Sequence, residues 1–315
     1  MQYTKHRLVI TALIIGLALV IVFVLVSWWQ LYRAQTTDTF YYRVTQVVPL
    51  PVAKIDDTYV EYGNYLSHYK TSETYLNTAE KANEARYAGG ASSKSIYDFY
   101  RVQAMDNAVT DAYAHKLAAQ SNISISDQQV DQAIKALSKI TSGQAEISQE
   151  VMDRSLEQLY GLSPAENKQR LRKSMLRQAV AYQVDDDARK VSDEIKQLLA
   201  KDAAMPFEEI ADKYDKAAVQ MLVTGWVKKG QPDGGLAAAA AQLEKGEVSG
   251  PIKPLSGDGY YFVRLIDTNK DGEINFQFLK VPLKQFKKQI DELKKAGKVQ
   301  YFIDMPSIDT QTQAK

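Results

Sequence analysis

Few residues of this chain can do acid–base or metal chemistry, and their positions are informative. The only histidines are His6, His68 and His115, so the last 200 residues contain none. A histidine-based triad, a histidine-rich metal site and a histidine general base are therefore excluded from that part. The chain has no cysteine, which excludes disulfides, thiolate metal sites, a cysteine nucleophile and a lipid-modified cysteine.

One segment has the spacing of a calcium-binding loop. Asp267, Asn269 and Asp271 stand at alternate positions and Gly272 follows, as at the start of an EF-hand loop. The position that should carry a bidentate glutamate holds Phe278, which belongs to an apolar alternation. A hairpin turn around Asp271 and Gly272 explains the same residues. We favour the turn, and we predict no metal and no cofactor.

Aromatic residues in the last third of the chain could line a groove for peptides. Trp226, Tyr260, Tyr261 and Phe262 are the candidates, because aromatic faces pack well against proline and apolar side chains. Ordinary core packing is the alternative, and it is the better interpretation for Trp226 and Phe262. All four residues are kept as substrate-binding candidates.

The elements that position these residues begin with an apolar segment. Leu8–Leu31 contains no charged residue and is long enough for a hydrocarbon core of about 30 Å. Lys5 and Arg7 precede it, and Trp28 and Trp29 stand near its end, as interfacial residues do. A cleaved signal peptide would have a shorter apolar region and a small-residue cleavage site, and neither is present. We predict a single-pass anchor in the cell membrane, with a cytoplasmic N-terminus and the bulk of the chain extracytoplasmic.

The rest of the chain divides into a helical part and a small mixed part. The formal net charge is +1, so nothing indicates a nucleic-acid partner. Capping patterns at Ser126 and Ser163 and apolar residues at helical spacing predict helices up to about Val184. Beyond the acidic run 185–187 the pattern is α-α-β-α-β-β, which is typical of a small α+β domain. The predicted organisation is 1–7 cytoplasmic tail, 8–31 transmembrane anchor, 32–50 linker, 51–185 helical module, 186–268 α+β domain, and 269–315 C-terminal strand and helix.

Several pieces of this sequence resemble known folding factors. GWVKKGQ, LEKGEVSGPI and GYYFVRLID resemble the second half of a parvulin-type (PpiC-type) prolyl isomerase domain. VAKIDDTYV, NISISDQQVDQAI and GLSPAENKQRLRKSML resemble the N-terminal helical module of SurA- and PrsA-like foldases. The resemblance covers roughly residues 50–268. With the anchor, it implies a mainly α chain with a small α+β parvulin-like domain and one N-terminal transmembrane helix.

The chain departs from that family at positions that matter for catalysis. The family domain begins with a strand that carries a catalytic-site histidine, and no such strand precedes the first helix here. The family's second histidine falls on Tyr261, and the residues of the proline pocket map near Pro232 and Leu236. Leu236 therefore joins the groove candidates. Rotation about an X–Pro bond has a barrier of about 18–20 kcal/mol, and without these groups we expect no catalytic residue but a surviving binding groove.

A strand after the domain could replace the missing one. Ile274–Val281 alternates in the manner of a half-buried strand and follows Tyr260–Ile266 across a tight turn. We predict antiparallel pairing of the two, since a hairpin turn imposes it. The helix Leu283–Ala296 would then pack on the helical module. In the competing hypothesis, a degenerate first strand lies within Gln178–Asp185.

Three functions fit these observations. The first is a membrane-tethered chaperone or foldase whose partners are unfolded or newly exported proteins. The second is an active prolyl cis–trans isomerase, and the third is a non-enzymatic adaptor for one envelope partner. The missing histidines favour the first over the second, and only the breadth of bound clients separates the first from the third.

Overall fold

The computed structural model of this chain describes residues 2–82, 93–142, 148–231, 233–254 and 257–307. The helices are α1 (Gln2–Tyr32), α2 (Thr39–Val47), α3 (Tyr62–Ala82), α4 (Ser93–Gln120), α5 (Asp127–Ser142), α6 (Gln149–Tyr160), α7 (Pro164–Val184), α8 (Asp186–Lys201), α9 (Phe207–Ala211), α10 (Leu236–Ala240) and α11 (Gln285–Lys295). The strands are β1 (Pro51–Ile55), β2 (Thr58–Glu61), β3 (Gln220–Val227), β4 (Val248–Ile252), β5 (Gly259–Thr268), β6 (Ile274–Pro282) and β7 (Val299–Tyr301). This mainly helical architecture with small antiparallel sheets confirms the predicted fold class.

The chain forms two compact units. The first contains Met1–Ala112 together with Gly297–Lys315, and the second contains Tyr113–Ala296. The chain passes from the first unit to the second within α4 and returns after α11.

The first unit begins with the apolar helix α1. Its segment Leu13–Tyr32 has a mean hydropathy of 2.4, and among the described residues it is the one helix long and apolar enough to cross a membrane. A signal sequence near an N-terminus has the same properties. The helix is therefore suited to either role by length and composition.

A small sheet of β1, β2 and β7 joins two distant parts of the first unit. β1 pairs with β2 as a hairpin, and β7 pairs antiparallel with the other side of β1. The segment 32–50, which we expected to be a linker, contains α2, whose Tyr42 and Thr45 are buried. The two helices α2 and α3 approach so closely that a Cβ at Gly63 would lie 2.3 Å from the carbonyl oxygen of Thr45. Only glycine permits this approach, which holds α2 close to α3.

Aromatic and polar side chains of α3 and α4 fill the first unit. The rings of Tyr62, Tyr65 and Tyr69 follow one another at centroid distances of 5.8 and 6.3 Å. Burial raises the pKa of Tyr65 to about 12. His68 Nε2 lies 2.8 Å from a carboxylate oxygen of Asp111, so this histidine joins α3 to α4. We interpret the pair as structural, because both side chains are mostly buried.

The helices of the second unit have strong local signals. Gly161 ends α6 in the left-handed conformation, and Ser163 and Glu166 form a reciprocal capping box at the start of α7. The C-terminal helix α11 packs on α7 and also on α4, where the rings of Tyr113 and Phe286 stack at 6.1 Å. This confirms the predicted packing of the C-terminal helix on the helical module.

The sheet of the second unit has the strand order β3-β6-β5-β4, and its pairs are antiparallel. β6 pairs with β5 over its whole length, from Ile274 opposite Thr268 to Pro282 opposite Gly259. The prediction that Ile274–Val281 pairs with the preceding strand is confirmed. The competing strand within Gln178–Asp185 is wrong, because α7 continues to Val184. β6 also pairs with β3, so the added strand is central rather than peripheral.

The two faces of this sheet bury separate apolar clusters. On one face, α8 and α9 cover a cluster that includes Ile195, Phe207 and Leu279. On the other face, α10 covers a cluster that includes Ala237 and Phe276. Alternation along β5 and β6 divides their side chains between the two faces, as the apolar alternation of β6 predicted.

One buried carboxylate connects the helices to the end of β6. Asp185 Oδ1 accepts the backbone N–H of Ala188 at 3.0 Å and so caps α8. Its Oδ2 accepts the backbone N–H groups of Lys284 and Gln285 at 2.6 and 3.0 Å. Asp185 is only 2% exposed and satisfies the N-termini of two helices, α8 and α11.

Candidate functional site

The helix α10 lies across the sheet face that carries Tyr261, the residue at which the sequence resemblance predicts the family's second histidine position. Asp233 precedes this helix and accepts the backbone N–H of Ala237 at 2.9 and 3.1 Å. Gly235 adopts φ +100° next to this bond, a conformation that glycine reaches without strain. The cap orients α10 so that Leu236 and Ala237 pack on the sheet.

A polar cluster stands at the edge of this face, where β5 begins. The Tyr261 hydroxyl lies 3.0 and 3.1 Å from the carboxylate oxygens of Asp258 and donates to them. Lys280 Nζ donates to Asp258 at 2.5 Å and lies 5.5 Å from the Tyr261 ring centroid. We call these three residues the Asp258 cluster. It forms because Tyr261 and Lys280 are direct neighbours on β5 and β6.

The environment of the Asp258 cluster keeps both donors protonated. Burial raises the pKa of Tyr261, and the carboxylate of Asp258 raises it further against the opposing effect of Lys280. Partial burial is the largest single effect on Lys280 and lowers its pKa, but the hydrogen bonds and charges of Asp258 and Tyr261 together outweigh burial and raise the pKa of Lys280. The cluster can therefore present the ammonium group of Lys280 to a peptide carbonyl, while Asp258 holds the proton of the Tyr261 phenol. Neither group can exchange a proton near neutral pH as a histidine can.

Apolar residues extend from this cluster towards the edge strand β3. The ring of Phe278 lies 5.5 Å from that of Tyr261, and Leu222 stands directly opposite Phe278 on β3. Directly opposed residues of antiparallel strands share a face, so these side chains form one surface. Leu222 is 50% exposed while Tyr261 is 6% exposed. We call the surface formed by Leu222, Leu236, Tyr261, Phe278 and Lys280 the α10 face.

The five groove candidates do not all lie on the α10 face. Leu236 and Tyr261 belong to the same apolar cluster beneath α10. Tyr260 and Phe262 point to the opposite face, where they are buried under α8 and α9. Trp226 is 49% exposed and stands opposite Asn275 on β6, on the side away from α10. Pro232 lies outside the described residues.

Two family models match this chain. A family model described as a SurA-like N-terminal domain matches residues 1–181, more than half of the chain. The chain belongs to the SurA-like N-terminal domain family. A second model, the PPIC-type PPIase domain, matches residues 151–281. The comparison with curated proteins gave no match, and neither did the comparison with solved structures.

The two family matches confirm the resemblance inferred from sequence motifs. They support an extracytoplasmic folding factor or prolyl isomerase of the SurA-like kind. The PPIC-type match ends at residue 281 and thus includes β6.

Two members of the Asp258 cluster were not identified from the sequence. Lys280 continues the alternation of Phe276 and Phe278 along β6. This alternation could have placed Lys280 on the α10 face. Asp258 lies in the short segment before β5, and its role depends on the pairing of Tyr261 with Lys280. Sequence reasoning pointed to Tyr261 as an aromatic groove candidate and through the position of the family histidine, but not as a partner of Asp258 and Lys280.

The segment that resembled a calcium loop is a turn between β5 and β6. Asn269 organises it: its backbone N–H donates to the Glu273 carbonyl, and its side-chain oxygen accepts the N–H groups of Asp271 and Glu273. Asp267 forms an ion pair with Lys245 at 3.2 Å. Among the described residues, no group of three or more histidine, aspartate or glutamate side chains is arranged to hold a metal ion. The antiparallel pairing of β5 and β6 confirms the hairpin interpretation.

The helical part of the second unit contains a separate groove. It lies between α4, α7 and the loop that precedes α5, with a cavity volume of about 420 Å³. Its lining includes the apolar residues Ile123, Ile125 and Leu176 and the polar residues His115 and Arg172. Clefts of this size with apolar walls and a few polar groups are typical binding sites.

Proposed function

We propose that this SurA-like protein is a membrane-tethered extracytoplasmic folding factor that binds exported, unfolded polypeptides. The observation that carries the proposal is the α10 face, where an apolar surface stays open beside Tyr261 at the family's histidine position. Clients would bind on this face and in the helical groove. The protein would act as a chaperone rather than as an efficient isomerase.

The contacts at the end of α1 support a retained anchor over a cleaved signal sequence. Leu31 is fully buried, and its carbonyl oxygen accepts a 2.5 Å hydrogen bond from the Tyr62 hydroxyl. The Tyr32 hydroxyl donates to the carbonyl of Pro51 at 2.6 Å. Signal cleavage after Tyr32 would remove the buried Leu31 side chain and leave the Tyr62 hydroxyl without its acceptor. A buried donor without a partner costs about 1–3 kcal/mol.

The composition of the α10 face supports binding of unfolded chains. Leu222 and Phe278 offer an apolar surface that a hydrophobic or proline-containing segment can cover. Lys280 stands beside it as a donor for backbone carbonyls, next to the Tyr261 hydroxyl, which donates its own proton to Asp258. Such a surface recognises general features of extended peptides and requires no particular sequence.

The same residues argue against efficient isomerase catalysis. The family's second histidine is replaced by Tyr261, whose hydroxyl is engaged by Asp258. The strand opposite it carries Lys280, and no histidine follows His115 in the chain. We therefore expect binding of X–Pro peptides without a large acceleration of their cis–trans exchange.

A paired assay on the full chain in detergent micelles tests this proposal. One arm measures suppression of the aggregation of a chemically unfolded protein, and the other measures cis–trans isomerisation of an X–Pro peptide. Leu222→Asp should weaken aggregation suppression several-fold, because it places a charge on the open, apolar end of the α10 face, beside Phe278. Val151→Asp is the matched control, since Val151 is 52% exposed on α6.

Each result of the paired assay has a defined meaning. Suppression of aggregation that is sensitive to L222D, without appreciable isomerisation, supports the chaperone. Turnover comparable to that of an intact parvulin would instead establish the isomerase alternative. Failure to suppress the aggregation of several unrelated clients would refute the chaperone and favour an adaptor with one specific partner.

A further inference from the structure

The last turns of α1 are covered by the first unit along one stripe. Phe23, Ser27 and Leu31 are spaced by four residues and therefore share a helix face. Ser27 and Leu31 are buried, although Trp28 and Trp29 between them are about half exposed. Another part of the first unit must therefore lie against this stripe, and the Tyr62 hydroxyl bonded to the Leu31 carbonyl is one such contact.

The contact extends down to Phe23 through the helix α2. The ring centroids of Phe23 and Phe40 are 6.3 Å apart in an edge-to-face arrangement. Phe23 precedes Trp28 by five residues and Leu31 by eight, which corresponds to about 8 and 12 Å along the helix axis. Phe40 on α2 is thus level with a residue well inside the apolar run that the membrane would surround.

The side of α2 that carries Phe40 is apolar and open. Phe40 and Val47 are seven residues apart, hence on one side of the helix, and they are 54% and 83% exposed. Tyr42 and Thr45 are the residues buried against the unit. Arg43 is exposed and long enough to reach lipid headgroups from this position. A short helix with an open apolar side and a basic residue has the character of an interfacial helix.

We propose that α2 is an interfacial helix, with Phe40 and Val47 embedded at the headgroup–acyl boundary of the bilayer that holds α1. This inference rests on the membrane anchor of the proposed function. The occupant is lipid rather than a client segment, because Phe40 contacts Phe23 within the uncharged apolar run. The first unit would then stand directly on the membrane surface instead of at the end of a linker, which fixes its distance from the bilayer.

The absence of cysteine permits a direct test in the full chain. Val47→Cys, labelled with an environment-sensitive fluorophore, is reconstituted into vesicles of zwitterionic and anionic phospholipids that carry bromine at shallow acyl positions. Val151→Cys, at another exposed valine, is the matched control. We expect a blue-shifted emission and several-fold stronger bromine quenching at V47C than at V151C.

Flotation of the same samples separates failure of this inference from failure of the anchor. Vesicle-bound protein with no excess quenching at V47C would overturn the interfacial helix and leave the anchor intact. Equal quenching at both positions would show that the label inserts by itself, and would also overturn it. Protein that does not float with vesicles after reconstitution would overturn the anchor and the inference together.

Discussion

Replacement of Asp185 by alanine should destabilise the second unit by about 4 kcal/mol. The change removes the cap of α8 and two hydrogen bonds to the backbone of Lys284 and Gln285. Loss of an N-cap costs about 1 kcal/mol, and each hydrogen bond to a charged group contributes about 1.5–3 kcal/mol. The total is about 4–7 kcal/mol, and the lower end applies because one carboxylate makes all three bonds and their contributions are not additive.

Urea unfolding of a soluble fragment that begins at Gln30 measures this effect. With a slope of about 2 kcal/mol per molar urea, a loss of about 4 kcal/mol lowers the midpoint by about 2 M. Asp185→Asn keeps one acceptor oxygen and should lose about half as much. The neighbouring Asp186 is exposed and forms an ion pair with Arg189, so Asp186→Ala should change stability by at most about 1 kcal/mol.

The difference in unfolding midpoint between D185A and D186A tests whether Asp185 caps both α8 and α11. Both variants remove one carboxylate from the start of α8, so any general effect of charge near the helix dipole is shared. Equal midpoints for D185A and D186A would refute the assignment of Asp185 as a double cap. A fall confined to D185A would support it.

Three further predictions concern the core, the buried tyrosines and the end of the anchor. Phe276→Ala should cost about 3–5 kcal/mol in urea unfolding because Phe276 is fully buried, whereas Leu222→Ala at an open position should cost far less. The free energy of unfolding should be retained below pH 10 and fall as pH rises from 10 towards 12. The reason is that the pKa of Tyr65 is raised to about 12 in the folded protein, so the unfolded chain loses this proton first. An absorbance titration in which every tyrosine of the folded protein ionises near pH 10 would contradict this. A fragment that begins at residue 36 should stay soluble but melt several degrees below one that begins at residue 30, since it loses Leu31, whose burial is worth about 1.5–3 kcal/mol; equal melting temperatures would argue against the importance of this contact.

Much of the second unit could be predicted from its sequence because its signals are local and periodic. The predicted order α-α-β-α-β-β is the observed order of α8, α9, β3, α10, β4 and β5. The alternation Ile274, Phe276 and Phe278 indicated β6 and its pairing with β5. In such segments, propensity, apolar period and turn residues agree, which is the condition for reliable inference from sequence.

The residues that were missed depend on contacts between distant parts of the chain. Lys280 is 22 residues from Asp258, and their pairing depends on the exact register of β5 and β6. The acidic run 185–187 marked the change of pattern in the sequence, but the bonds of Asp185 to the chain about 100 residues later could not be foreseen. The helix α2 lies in the segment 32–50, which was predicted to be a linker. Its position depends on the close approach at Gly63, which no local pattern reveals.

The central place of β6 has a consequence for how the chain matures during export. In the proposed extracytoplasmic location, the segments beyond the anchor emerge in chain order, so β3, β4 and β5 arrive before β6, which must enter between β3 and β5. Until residue 282 has emerged, those two strands have facing edges without a partner, and unpaired edges tend to associate with other chains. The helices α5 to α7 rely on nearer contacts and can form earlier. The sheet of the second unit can therefore close only after the C-terminal segment is released. The same segment then supplies β7 to the sheet of the first unit.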